Sequence, residues 1–159
     1  MRDPRVHQRP RAFTLVEILI VVIILGILAT IIIGLFQNGT RDAAAASVKD
    51  NLRNMRSQLE LYVAQHGQYP SLTNFEQQLT QYTDADGNVS PTRTATHIYG
   101  PYIISMPVLP VGVNKGRTTV TSLTYTAGHG WGYEATSGVF KANTPDAEVD
   151  QDGIAFNTY

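Results

Sequence analysis

Glu17 is the residue whose placement most demands chemistry. It is an acid inside an apolar run, 13–36, whose 24 positions carry polar side chains only at Thr14, Glu17 and Thr30. A carboxylate in hydrocarbon is costly, so an ionisable group inside such a segment marks a functional site and calls for a partner. A second acidic group lies near the other end of the chain, where Asp146, Glu148, Asp150 and Asp152 alternate before Gly153. Calcium takes about six to eight oxygen ligands, and a flexible acidic loop can supply several; a solvated acidic loop is the favoured alternative. Other chemistry is missing. The chain has no cysteine, which excludes a disulfide framework, a thiolate zinc site and a cysteine nucleophile. No G-x-S-x-G, P-loop or H-E-x-x-H pattern occurs. His66, His97 and His129 are scattered and read as structural. Gly128-His129-Gly130-Trp131-Gly132 opens a strand rather than a helix, which makes a poor phosphate cradle. No enzymatic role is expected.

The elements that must position these residues follow from periodicity. At about 1.5 Å per residue, a helix over 13–36 is roughly 36 Å long, enough to cross a hydrocarbon core of about 30 Å. Arg2, Arg5, Arg9 and Arg11 precede it against a single Asp3. Such a basic flank keeps that end in the cytoplasm and sends the rest of the chain across. A cleaved secretory signal would have a shorter apolar region and a small-x-small site after it. From 41 to 66 the pattern becomes one-sided. Val48, Leu52, Met55, Leu59, Tyr62 and His66 recur at spacings of three and four, which aligns them on one helical face. Gly67 and Pro70 supply the stop.

Beyond that stop, a short helix is expected over 73–81 and a turn at Asp84-Ala85-Asp86-Gly87-Asn88, which lacks the later Glu of a calcium-binding loop. Residues 99–110 read as an ordered connector, because Pro107 and Pro110 exclude a central strand. Strands are expected over 118–126 and in a hairpin, 131–135 against 139–142. From Gln37 onward, eight basic residues face eleven acids, so there is no electrostatic footprint for nucleic acid.

Ala12-Phe13-Thr14-Leu15-Val16-Glu17 resembles the processing site of type IV pilins and of the pseudopilins of type II secretion systems, and Gly67-Gln68-Tyr69-Pro70 is similar to the helix ending of the same family. The resemblance implies cleavage by a membrane prepilin peptidase between Ala12 and Phe13, with Ala12 where the family usually has Gly, followed by N-methylation of Phe13. Glu17 of an incoming subunit would then pair with the Phe13 amine of a neighbour. Gly34 stands where many relatives have Pro, so Gly34 and Gly39 are the candidate hinge positions. Major pseudopilins also carry calcium in their C-terminal loops, which makes Asp146, Glu148, Asp150 and Asp152 candidate ligands. No other cofactor is expected.

The sequence therefore reads as an α+β, pilin-like chain. A basic leader peptide, 1–12, precedes a transmembrane and filament-core helix, 13–36, an amphipathic helix, 37–70, and a small globular β-rich domain, 71–159, whose antiparallel sheet packs on the helix. The resemblance implies a single-pass inner-membrane protein with a cytoplasmic N-terminus and a periplasmic domain, which polymerises into a helical filament, most like the major pseudopilin. Its partners would be copies of itself, the prepilin peptidase, an inner-membrane secretion or pilus assembly platform, minor pseudopilins and the lipid bilayer, without nucleic acid. The alternatives are a type IV pilin and a membrane-anchored binding module that never polymerises.

Overall fold

A computed structural model describes residues 13–159, without the side chains of 33–38. The leader 1–12, Ala12 included, lies outside the described residues. Helix α1 spans Leu15–His66, and α2 spans Phe75–Thr80. The strands are β1 (Tyr82–Thr83), β2 (Val89–Ser90), β3 (Val120–Thr121), β4 (Trp131–Tyr133) and β5 (Phe140–Ala142), followed by a 3₁₀ turn, Phe156–Thr158. The chain divides into two compact units at Gly39/Thr40.

The first unit is apolar helix. Its window Leu15–Ile32 has a mean hydropathy of 3.1 and is the one described helix long and apolar enough to cross a membrane. Its large apolar side chains are between 49% (Leu28) and 83% (Leu15) exposed. Thr30 turns its hydroxyl back to the Ile27 carbonyl, 2.7 Å away, which satisfies a polar group that hydrocarbon could not.

The second unit holds the core. Val48, Leu52, Met55, Leu59 and Tyr62 are all fully buried, as their spacing predicts, and His66 is half-buried at the end of the stripe. They pack in one cluster with Phe75, Leu79, Met106, Leu109, Trp131, Tyr133 and Phe140. Aromatic rings fill the space between α2 and the sheet: Phe75 lies 4.3 Å from Tyr133, and Trp131 lies 5.2 Å from Phe140, measured between centroids. Burying such rings is the largest apolar contribution a side chain can make.

The connector 99–110 is ordered, as expected, with Met106 and Leu109 buried. The Tyr102 and Ile103 N–H groups donate to the Leu79 carbonyl at 2.8 and 3.1 Å, and the Trp131 indole donates to the Pro107 carbonyl at 2.8 Å. These bonds give an irregular buried segment the partners it needs.

Three elements differ from the expectation. The turn at 84–88 closes a small antiparallel hairpin, β1–β2, that the polar stretch does not announce. Asp84 organises it by accepting from the Asp86 and Asn88 N–H groups at 3.0 and 2.9 Å, the short-range bonding that suits Asp to turns. The expected strand 118–126 shrinks to Val120–Thr121. The sheet is also mixed rather than wholly antiparallel, since β3 runs parallel to β4 while β4 and β5 form the expected hairpin.

One cause accounts for the last two differences. Asn143 accepts from the Thr126 N–H at 3.1 Å and donates to the Thr126 and His129 carbonyls at 2.6 and 2.8 Å. Asn114 accepts from the Gly128 N–H at 2.9 Å and donates to the Asn143 carbonyl at 2.8 Å. These two buried amides take the Thr126 N–H and carbonyl at the end of the expected strand, together with the Gly128 N–H and the His129 carbonyl of the return over 122–130 that leads into the parallel β4.

Candidate functional site

Helix α1 begins with a reciprocal cap. Thr14 precedes the first helical residue, and its hydroxyl accepts from the Glu17 N–H at 3.2 Å. Glu17 Oε2 accepts in return from the Thr14 N–H and from its hydroxyl, both at 3.3 Å. This is the S/T-x-x-E capping box, which satisfies two N–H groups that the helix leaves open. The carboxylate also lies at the positive end of the helix dipole. Glu17 and Phe13 are both exposed, Phe13 to 79%. Both are free to meet another molecule.

Sequence reasoning singled out Phe13 and Glu17 and did not see that Thr14 caps the helix. The signal was present, because Thr14-Leu15-Val16-Glu17 has the capping-box spacing. Helix α1 runs without interruption through the hinge candidates Gly34 and Gly39. A methyl added at Gly39 would meet nothing within 4 Å.

Three of the four acids of the C-terminal loop are sent to different partners. Asp146 accepts from Asn157 Nδ2 at 2.7 Å. Glu148 Oε1 accepts from the Val113 N–H at 2.8 Å, while its Oε2 is buried without a partner. Asp150 Oδ1 accepts from the Asp152 and Ile154 N–H groups, each at 2.9 Å. Its Oδ2 takes the Tyr159 hydroxyl and faces Lys49 Nζ at 3.8 Å. Asp152 is exposed.

The Tyr159 hydroxyl, the Ile154 N–H and the nearby Lys49 hold the Asp150 carboxyl below the usual range. Burial and the Asp150 hydrogen bond push the Tyr159 phenol up. Among the described residues, no three His, Cys, Asp or Glu side chains group as a metal-binding set. An open groove of about 480 Å³ runs beside this loop, lined by Arg41, Ala44, Val111, Lys115, Glu148 and Phe156 among others.

His66 and His97 are built into structure, whereas His129 Nδ1 is buried without a partner. His66 stacks on Tyr62 with centroids 4.0 Å apart, and its ring nitrogens lie 3.0 Å from the Tyr62 carbonyl and from Thr83 Oγ1. His97 Nδ1 bonds Thr94 and Thr96 at 2.9 and 3.1 Å.

Comparison with known proteins points the same way as the helix start. Residues 8–33 match the prokaryotic N-terminal methylation motif. The chain is 29% identical over 105 residues to type II secretion system core protein G of Klebsiella pneumoniae, covering 66% of this chain and 71% of that protein. It is 31% identical over 65 residues to core protein G of Dickeya chrysanthemi, covering 41% of this chain and 42% of that protein. For core protein G of Pectobacterium carotovorum subsp. carotovorum the figures are 32% over 63 residues and 40% of each chain. The last two matches thus span about two fifths of those relatives. No solved structure matches the chain. The motif is that of type IV pilin-like proteins, and all three relatives are named core protein G, the major pseudopilin, of a type II secretion system.

Proposed function

We propose that this chain is a structural subunit of a type II secretion pseudopilus, polymerising through its N-terminal apolar helix in service of protein export across the outer membrane. One observation carries the reading: the acid Glu17 lies exposed at the start of an apolar helix, inside a methylation motif. Cleavage before Phe13 creates an α-amine that titrates near ~8 in model compounds and is therefore cationic at neutral pH. Apolar helices gain little from each other in lipid, so one charge pair decides which stagger they adopt. Glu17 of one subunit and the Phe13 amine of the next supply that pair. A head-to-tail contact repeated this way generates an open filament.

The apolar helix anchors the unassembled subunit once in the inner membrane. The arginine-rich leader sits on the cytoplasmic side and the domain from Thr40 onward in the periplasm. A prepilin peptidase and methylating enzyme act on Ala12 and Phe13, and an inner-membrane platform and minor pseudopilins join the subunit during assembly. The chain itself carries no catalytic function.

N-terminal sequencing and mass measurement of the chain recovered from its membrane should give a mature start at Phe13 bearing a methyl group. Glu17→Ala should abolish filaments seen by electron microscopy while circular dichroism of the chain stays unchanged. Filaments of normal yield from Glu17→Ala, or a chain recovered with its leader intact beside a working pseudopilus, would refute the reading.

A further inference from the structure

We propose that the acidic loop 146–153 is closed by a cation the chain itself supplies, the Lys49 ammonium, and that it keeps its shape without a divalent metal. Family resemblance implies calcium at this loop, and the side chains here do not fit that group. Calcium asks for about six to eight oxygens converging on one point. Asp150, the central acid, has none to spare: Oδ1 is taken by two N–H groups and Oδ2 by the Tyr159 hydroxyl and Lys49.

Lys49 Nζ also lies 4.3 Å from the centroid of the Tyr159 ring, a cation–π contact. Ammonium, ring and carboxylate therefore form a closed triad. The Asp150 side chain is only 6% exposed within it, while Lys49 stays 49% exposed. A metal entering there would have to displace a hydroxyl and two N–H donors and lie beside a like charge. Asp146 and Glu148 Oε1 serve Asn157 and the Val113 N–H instead. Three buried oxygens here lack a partner, Glu148 Oε2, Thr144 Oγ1 and Asn157 Oδ1, about half or fewer of the oxygens calcium asks for, and Glu148 Oε2 is pressed against Gly112, where an added methyl would come within 1.8 Å.

The same strap is tied down twice. Arg56 Nη2 donates to the Tyr159 carbonyl at 2.5 Å and to the Phe140 carbonyl at 3.0 Å. Lys49 and Arg56 stand seven residues apart on α1, hence on one face. Helix α1 thus holds both ends of Tyr159, and Tyr159 holds Asp150.

The test is thermal unfolding of the full chain in detergent micelles, in chelator and in millimolar calcium. The midpoint should be the same in both. A site filled about a hundred-fold above its dissociation constant would raise it by several degrees, and such a rise overturns the proposal. Lys49→Met, which removes the charge, and Tyr159→Phe, which removes the hydroxyl and keeps the ring, should each lower the midpoint with and without calcium. Unchanged midpoints in both variants overturn it as well. None of these readings depends on filament assembly, so they stand or fall separately from the proposed function.

Discussion

Thr14 satisfies Glu17 within its own helix start. A bare carboxylate at the lipid boundary would be heavily penalised, and the capping box offsets part of that by lending it an N–H and a hydroxyl. Thr14→Val keeps the backbone donor and removes the hydroxyl, at a cost of about 1 kcal/mol to the helix start. The expected outcome is a reduced filament yield at equal chain levels, measured by shearing and immunoblotting, with the domain's circular dichroism unchanged. Two acids outside the apolar helix make a separate prediction. Asp84 is held below its ordinary pKa chiefly by the Asn88 amide, and Asp150 by the Tyr159 hydroxyl. A carboxylate lowered in the folded state stabilises it fully above the unfolded value, near ~3.9. That contribution disappears as pH falls through the folded value. Denaturant midpoints should therefore be flat from neutrality down to about pH 5 and fall below it, and Asp150→Asn should make the fall shallower.

At the scale of elements, the loop 122–130 depends on Asn143 more than on any strand propensity. Asn143→Ala removes the bonds to the Thr126 N–H and to the Thr126 and His129 carbonyls, leaving the Thr126 carbonyl only Asn114 Nδ2 at 3.3 Å, and each such bond is worth about 0.5–1.5 kcal/mol net. Hydrogen exchange should show the Thr126 amide opening first, while amides around Leu59 in α1 stay protected; equal loss in both would show that the amide pair does not organise the loop. That loop also marks the limit of what was legible in the sequence. The stripe from Val48 to Tyr62 was readable because a helix repeats its own spacing, so local pattern and final burial coincide. The β4–β5 hairpin was readable because Gly138 sits at a tight turn with φ +70°, where a side chain would strike the Tyr69 ring. The parallel pairing of β3 was not, because it is set by Asn114 and Asn143, residues distant in sequence whose side chains replace a ladder. Asp150 was found as an acid, but its partners Lys49 and Tyr159 come from opposite ends of the domain and leave no local signature.

Across the whole molecule, burial is divided sharply. Every residue of the hydrophobic core, from Ala45 to Phe156, belongs to the unit that begins at Thr40. The described large apolar side chains before it are about half or more exposed. Removing apolar surface from water is worth about 25 cal/mol per Å², so that helix must find lipid or neighbouring helices, whereas the domain has already buried its own apolar face. The two parts should therefore separate cleanly. A fragment covering Thr40–Tyr159 should be soluble without detergent and unfold in one cooperative transition. Its midpoint should match that of the domain in the full chain, because the buried core residues run from Ala45 to Phe156 and all lie within the fragment. It should also fail to enter filaments, since it lacks Phe13 and Glu17. A fragment that is molten by near-ultraviolet circular dichroism would show that the domain needs the apolar helix to fold. A fragment that joins filaments would show that assembly is driven by the domains, and the pairing of Glu17 with a neighbour's amine would lose its role.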